Sequence, residues 1–146
     1  MQWRSVPTYR TASEEETIAL GERLAGQLPG RGVVLLIGNL GAGKTTLAKG
    51  IVRGRGAAEY DDVSSPTFTL IHEYGPLGNV YHIDLYRLEE ARQLATLGLE
   101  EIFDRDALVL IEWGERFPQL MPAERTEIYI RPRENDEREI EVRKVP

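Results

Sequence analysis

The strongest hydrophobic pattern is the unbroken apolar run Val33-Val34-Leu35-Leu36-Ile37, the kind carried by a strand buried on both faces. Ala107-Leu108-Val109-Leu110-Ile111 reads the same way. Nearer the N-terminus, Leu20, Leu24 and Leu28 recur every four residues behind Ser13-Glu14-Glu15-Glu16, which has capping-box spacing, until Pro29-Gly30 stops the pattern. That predicts an amphipathic helix of about four turns. Residues 67–74 and 79–84 alternate β-branched and aromatic with polar positions around Gly75-Pro76-Leu77-Gly78, as two strands around a turn would. A helical stretch over residues 89–103, interrupted at Gly98, leads into the second apolar strand. The last third alternates Ile128, Ile130 and then Ile140, Val142 around the turn-prone Asn135-Asp136, which predicts a terminal hairpin. Buried strands mixed with helices and a hairpin make an α/β fold: three layers, a mixed central sheet and a C-terminal hairpin.

Composition narrows the function classes. The 146 residues make one domain's worth of chain, so residues 1–146 are expected to form a single domain. That is enough for a three-layer core and too little for lids or a second domain. No repeat, low-complexity tract or long linker divides it. The absence of cysteine excludes disulfides and thiolate metal sites. Met1-Gln2-Trp3-Arg4-Ser5 lacks the apolar core of a signal peptide, and no apolar run approaches a membrane span, so a cytoplasmic location without membrane contact is expected. A formal charge of −6 argues against a chain that grips nucleic acid by itself, although a local basic face remains compatible with it.

The chemistry is announced between the first apolar strand and the helix-forming Leu47-Ala48-Lys49. Gly38-Asn39-Leu40-Gly41-Ala42-Gly43-Lys44-Thr45 is a complete phosphate-binding loop of the P-loop NTPase type. Its glycines let the chain turn tightly around a phosphate, so that backbone N–H groups point inward and the next helix starts with its positive dipole end toward the anion. Lys44 is placed to bridge the β and γ phosphates of a nucleoside triphosphate, and the Thr45 hydroxyl to reach the accompanying Mg2+, which takes oxygen ligands. Thr46 comes one residue too late to reach the metal and belongs with the residues lining the nucleotide.

Such a site needs an acid, and two strand ends offer one: Glu112 and Asp84. Glu112 follows the purer hydrophobic run and is the candidate metal ligand. Asp84 is the candidate for positioning water. Ser64-Ser65-Pro66-Thr67-Phe68 stands where triphosphate-binding switches place a γ-phosphate-sensing loop, and Thr67 is its candidate donor; a plain loop entering a strand fits equally well. His82 shares a face with Asp84 by alternation, and a structural role suits it better than a catalytic one.

The Gly-x-Leu-Gly-Ala-Gly-Lys-Thr loop, Ser65-Pro66-Thr67-Phe68, His82-Ile83-Asp84-Leu85-Tyr86-Arg87 and Ile111-Glu112-Trp113 together resemble, in order and spacing, the TsaE (YjeE) family of small bacterial ATPases. The resemblance runs from about Ser13 to the terminal hairpin. It implies an ATP- and Mg2+-dependent ATPase, weak alone and stimulated by the TsaD–TsaB heterodimer, that supports turnover of the machinery making threonylcarbamoyladenosine in tRNA. The tRNA would be met only through the complex. By the same resemblance Lys44 and Thr45 take the phosphate and Mg2+ positions, Glu112 the second Mg2+ position and Asp84 the acid required for hydrolysis. Trp113 matches the tryptophan after the metal acid, and a purely structural aromatic would look the same. Ser13, Thr17 and Arg138 are similar to elements that line the nucleotide.

Other phosphate-loop readings are a GTPase, a small-molecule kinase and a non-hydrolysing, nucleotide-dependent binding module. The first lacks its Asn-Lys-x-Asp guanine-reading motif. The second has little room for an Arg-bearing lid between Glu89 and Phe103. The third differs only in turnover. Arg87 is the nearest candidate for a charge-stabilising arginine supplied in cis.

Overall fold

The computed structural model describes residues 7–39, 41–57, 71–75, 79–95 and 97–145. Its centre is a seven-stranded mixed sheet built from β1 (Thr8–Thr11), β2 (Gly32–Ile37), β3 (Ile71–Tyr74), β4 (Val80–Asp84), β5 (Leu108–Glu112), β6 (Arg125–Pro132) and β7 (Arg138–Val145). The spatial order is β1-β7-β6-β2-β5-β4-β3. The four inner strands β6, β2, β5 and β4 run parallel, whereas β3, β7 and β1 pair antiparallel at the edges. Both apolar runs therefore lie at the centre, where a strand needs no polar face.

Alternation along those runs divides the core in two. Val34, Leu36, Leu108, Leu110, Ile128 and Ile130 face α1 (Glu14–Ala25) and α2 (Lys44–Gly54). Val33, Leu35, Val109 and Ile111 face the short helices α3 (Ala91–Ala95) and α4 (Leu99–Phe103) together with Phe117 and Met121. The result is the expected three-layer α/β fold. On the first face α1 and α2 approach closely at Gly50, where an added Cβ would lie 2.1 Å from the Ile18 carbonyl oxygen. Only glycine admits that contact.

Local chemistry explains most element ends. Ser13 caps α1, its hydroxyl accepting the Glu16 N–H at 3.1 Å. The Glu16 carboxylate returns to the Ala12 N–H rather than to that of Ser13, one residue earlier than in the usual reciprocal box. The helix ends at Ala25, about one turn before the apolar periodicity does, where the Gly26 N–H turns to the Arg23 carbonyl at 3.2 Å; Leu28 is still carried into the core by the turn that follows. Gly98, with φ of 70°, separates α3 from α4 where the helical pattern was interrupted. The terminal hairpin forms as β6 and β7, with Asn135 and Asp136 both at positive φ in its turn. One element had no forecast. β1 is a four-residue polar strand that pairs with β7 and carries almost no periodic signal of its own. Residues 67–70 of the expected third strand, the Ser64–Phe68 tract including Thr67, Leu40 and residues 76–78 of the turn lie outside the described residues.

Candidate functional site

Parallel strands bring their carboxyl ends to one edge of a sheet, and in this order the phosphate loop after β2 stands beside the ends of β5 and β4. Asp84 and Glu112 are register partners, so the two candidate acids sit side by side. The Leu85 N–H donates to the Glu112 carbonyl at 3.0 Å and holds the chain leaving β4 against the end of β5. Gly38 packs on β6, its α-carbon so near the Ile130 carbonyl that a Cβ would come within 2.6 Å of the oxygen.

The loop then turns through Gly41 and Gly43 at φ of 80° and 107°, and α2 begins at Lys44 with no side chain capping it. An uncapped helix start leaves its N–H groups to an anion. Arg138 of β7 closes the loop from the other side. Its Nε donates to the Ala42 carbonyl at 3.1 Å and occupies the space that a side chain at Gly43 would need.

Lys44 is only 4% exposed. Its ammonium donates to the Gly38 carbonyl at 2.8 Å and lies 3.4 Å from the centre of the Trp113 ring. Burial holds its pKa below the ordinary lysine value, while the carboxylates of Glu112, Glu115 and Asp84 pull the other way. Thr45 donates its hydroxyl to Glu112, 3.1 Å from Oε2 and 3.4 Å from Oε1. Glu112 is buried, and its Oε2 also meets His82 Nε2 at 2.6 Å. A carboxylate only accepts, so Nε2 carries the proton of this hydrogen bond and is its donor. His82 is fully buried, and among the described residues its Nδ1 has no hydrogen-bond partner. The histidine thus orients Glu112, as a group behind a metal ligand does.

Asp84 is half-buried and accepts the Tyr86 N–H on Oδ1 at 2.9 Å, a short turn that directs its carboxylate. Tyr86 packs on Trp113 with ring centres 5.2 Å apart. Arg116 lies over both rings and donates to the Tyr86 carbonyl at 2.7 Å. Trp113 itself stands at φ of 69°, an uncommon backbone for an aromatic residue, where the chain breaks from β5 into the 3-10 turn Gly114–Arg116. Arg87 is exposed.

Ser13 and Thr17 occur together at the start of α1. The Thr17 hydroxyl lies 2.9 Å from the Ser13 carbonyl and 2.8 Å from the hydroxyl of Thr11. Thr11 was not anticipated, since it belongs to the strand the sequence pattern does not show. Glu115, Arg116 and the role of His82 were likewise missed. For His82 the signal existed: its parity with Asp84 and its place two residues inside a strand beside Glu112.

Two oxygens, Thr45 Oγ1 and Glu112 Oε2, form a donor set suited to a hard cation. Two are too few to hold an ion alone, and among the described residues no group of three or more His, Cys, Asp or Glu side chains could do so. Such an ion would arrive with phosphate oxygens. No helix among the described residues is long and apolar enough to cross a membrane.

A family model described as threonylcarbamoyl adenosine biosynthesis protein TsaE matches residues 11–140. The tRNA threonylcarbamoyladenosine biosynthesis protein TsaE of Bacillus subtilis is 41% identical over 133 residues, covering 90% of this chain and 82% of that protein. Its namesake from Rickettsia bellii is 38% identical over 127 residues, 86% of this chain and 87% of the relative. Among solved structures, the crystal structure of Bacillus subtilis YdiB superposes with a TM-score of 0.78 at 34% identity, covering 100% of this chain and 90% of that one.

Proposed function

The chain belongs to the TsaE family, and from that premise we propose that it binds and hydrolyses ATP with Mg2+, and that its ATPase cycle serves tRNA threonylcarbamoyladenosine biosynthesis in company with the TsaD–TsaB heterodimer. The observation carrying the reading is the meeting of three features: an uncapped α2 behind a glycine-rich loop, a buried Lys44 at that helix start, and a Thr45 hydroxyl bonded to a strand-end carboxylate. A plain surface turn has no reason to bury a lysine beside three acids.

In this reading the loop N–H groups and Lys44 bind the β and γ phosphates. Thr45 and Glu112 hold the Mg2+, with His82 keeping Glu112 in place. When bound, the ion neutralises charge on the phosphate oxygens. Asp84 orients a water whose oxygen attacks the γ-phosphorus as the bond to the β–γ bridging oxygen breaks, giving ADP and phosphate. Ser13, Thr17, Arg138 and the loop residues Asn39, Leu40, Gly41, Ala42, Gly43 and Thr46 border the nucleotide, and Thr67 senses the γ-phosphate.

Positioning and charge stabilisation dominate phosphoryl transfer, and no arginine stands out from the sequence as one supplied in cis beyond the candidate Arg87, so the chain by itself is expected to be slow. Docking on TsaD–TsaB raises the rate, and tRNA is engaged through that complex. The test is the ATPase rate alone, with TsaD–TsaB, and with tRNA added. A partner-stimulated rate supports the reading, whereas tight ATP binding without turnover in all three mixtures leaves a nucleotide-dependent binding module.

A further inference from the structure

The geometry points to Arg116 as a positioning residue that sets Asp84 for hydrolysis by holding the backbone of Tyr86; the inference rests on the ATPase reading above. Tyr86 is gripped at both of its backbone groups. Its N–H goes to Asp84 Oδ1 at 2.9 Å, and its carbonyl accepts from Arg116 Nη1 at 2.7 Å. The turn that aims the Asp84 carboxylate is therefore closed on one side by the acid itself and on the other by the arginine.

Arg116 is exposed, and an exposed arginine ordinarily keeps its rotamer freedom. Here the guanidinium is also stacked, 5.1 Å from the centre of the Tyr86 ring and 4.6 Å from that of Trp113. Planar stacking with directed N–H groups is what a guanidinium offers and an ammonium does not. Tyr86 is 44% exposed, and its ring rests on Trp113 and under the Arg116 guanidinium. Trp113 completes the link, because its ring carries the Lys44 ammonium as well as the arginine. One aromatic ring thus joins the phosphate-loop lysine to the residue that steadies the hydrolytic acid.

Removing Arg116 frees the Tyr86 carbonyl to turn toward water and loosens the turn beneath Asp84. In the TsaD–TsaB-bound protein, Arg116→Ala is expected to lower kcat about 10- to 100-fold, the usual effect of misplacing a reacting group by a fraction of an ångström to one ångström. ATP affinity should stay within about threefold, since the guanidinium is committed to the Tyr86 carbonyl and to the Tyr86 and Trp113 rings. Arg116→Lys should recover part of kcat, because one N–H can still reach the carbonyl.

In an Asp84→Asn background the further loss from Arg116→Ala should vanish, as it must for a residue acting through Asp84. An unchanged kcat, a loss that adds fully to that of Asp84→Asn, or a fall in ATP affinity matching the fall in rate would each overturn the proposal. Hydrogen exchange of the Tyr86 amide provides a readout independent of turnover. It should quicken by about tenfold in Arg116→Ala with the α1 amides unaltered. Unchanged exchange at Tyr86 overturns the proposal even if the wild-type chain proves not to be an ATPase, whereas quickened exchange in a chain without turnover sustains the hold on the Asp84 turn and rejects the ATPase reading alone.

Discussion

The ammonium of Lys44 rests 3.4 Å from the centre of the Trp113 ring, joining the first residue of α2 to the residue just after β5. A buried cation needs compensation, and here the ring face and the Gly38 carbonyl share it. In the proposed function, arriving phosphates would compete for the same ammonium.

Lys44→Ala should therefore weaken ATP binding on the order of 100-fold, as truncating one member of a buried charge pair does. Titration calorimetry with a folded variant checks this, and unaltered affinity would remove the loop from the mechanism. The two tryptophans are Trp3 and Trp113, so a Trp3→Phe background isolates the ring beside Lys44. ATP should change its emission; in Lys44→Ala that change should largely disappear.

Thr45→Ala and Glu112→Gln should each weaken ATP binding about tenfold in the presence of Mg2+ and much less in EDTA, because in the proposed function both residues would act on the ion. His82→Phe should show the same Mg2+-selective loss at smaller size, since it removes the donor that holds Glu112 Oε2. Equal losses with and without the metal would contradict the assignment.

Asp84→Asn should slow hydrolysis about 100-fold while ATP affinity stays near wild type, the signature of a group that acts on water. Single-turnover kinetics beside equilibrium binding separates the two. A native rate in the assembled complex would assign the task elsewhere.

Burial raises the Glu115 carboxyl above the usual carboxylate value, with Lys44 and Arg116 only partly opposing it. Its Oε1 has no hydrogen-bond partner among the described residues. An acid with a raised folded-state pKa binds more protons folded than unfolded, so stability falls as pH rises from the unfolded value through the folded one. Glu115→Gln keeps the neutral form and should melt higher than wild type near about pH 8, with the gap closing toward about pH 4. Melting curves across that range test the sign, and a lower Tm near pH 8 would refute it.

Gly50→Ala should destabilise the fold by about 3 kcal/mol, since its Cβ would collide with backbone, which cannot swing aside as a side chain can. Chemical denaturation measures the loss, and a neutral result would mean that α1 and α2 can separate freely.

The parts legible in the sequence are those written locally. The glycines of the loop, the two apolar runs and the acids that end β4 and β5 announce themselves because each is set by its near neighbours in the chain. β1 did not, because Thr8–Thr11 is a strand only through β7, far along the sequence. For the same reason Trp113 could be read as core or as site: only the sheet order places its ring beneath Lys44. Arg116 could not be read at all, since its partner is a carbonyl, which every residue possesses. Thr67 stood in a tract that reads equally well as a sensing loop or as a plain loop entering a strand, and it lies outside the described residues.

The strand order also has a consequence for synthesis. β1 emerges from the ribosome long before β7, its only sheet neighbour among the described strands, and the Ala42 carbonyl must likewise wait for Arg138, 96 residues later. The loop of a newborn chain therefore lacks its Arg138 contact, and any nucleotide grip that depends on that contact would have to wait until the closing hairpin has been translated.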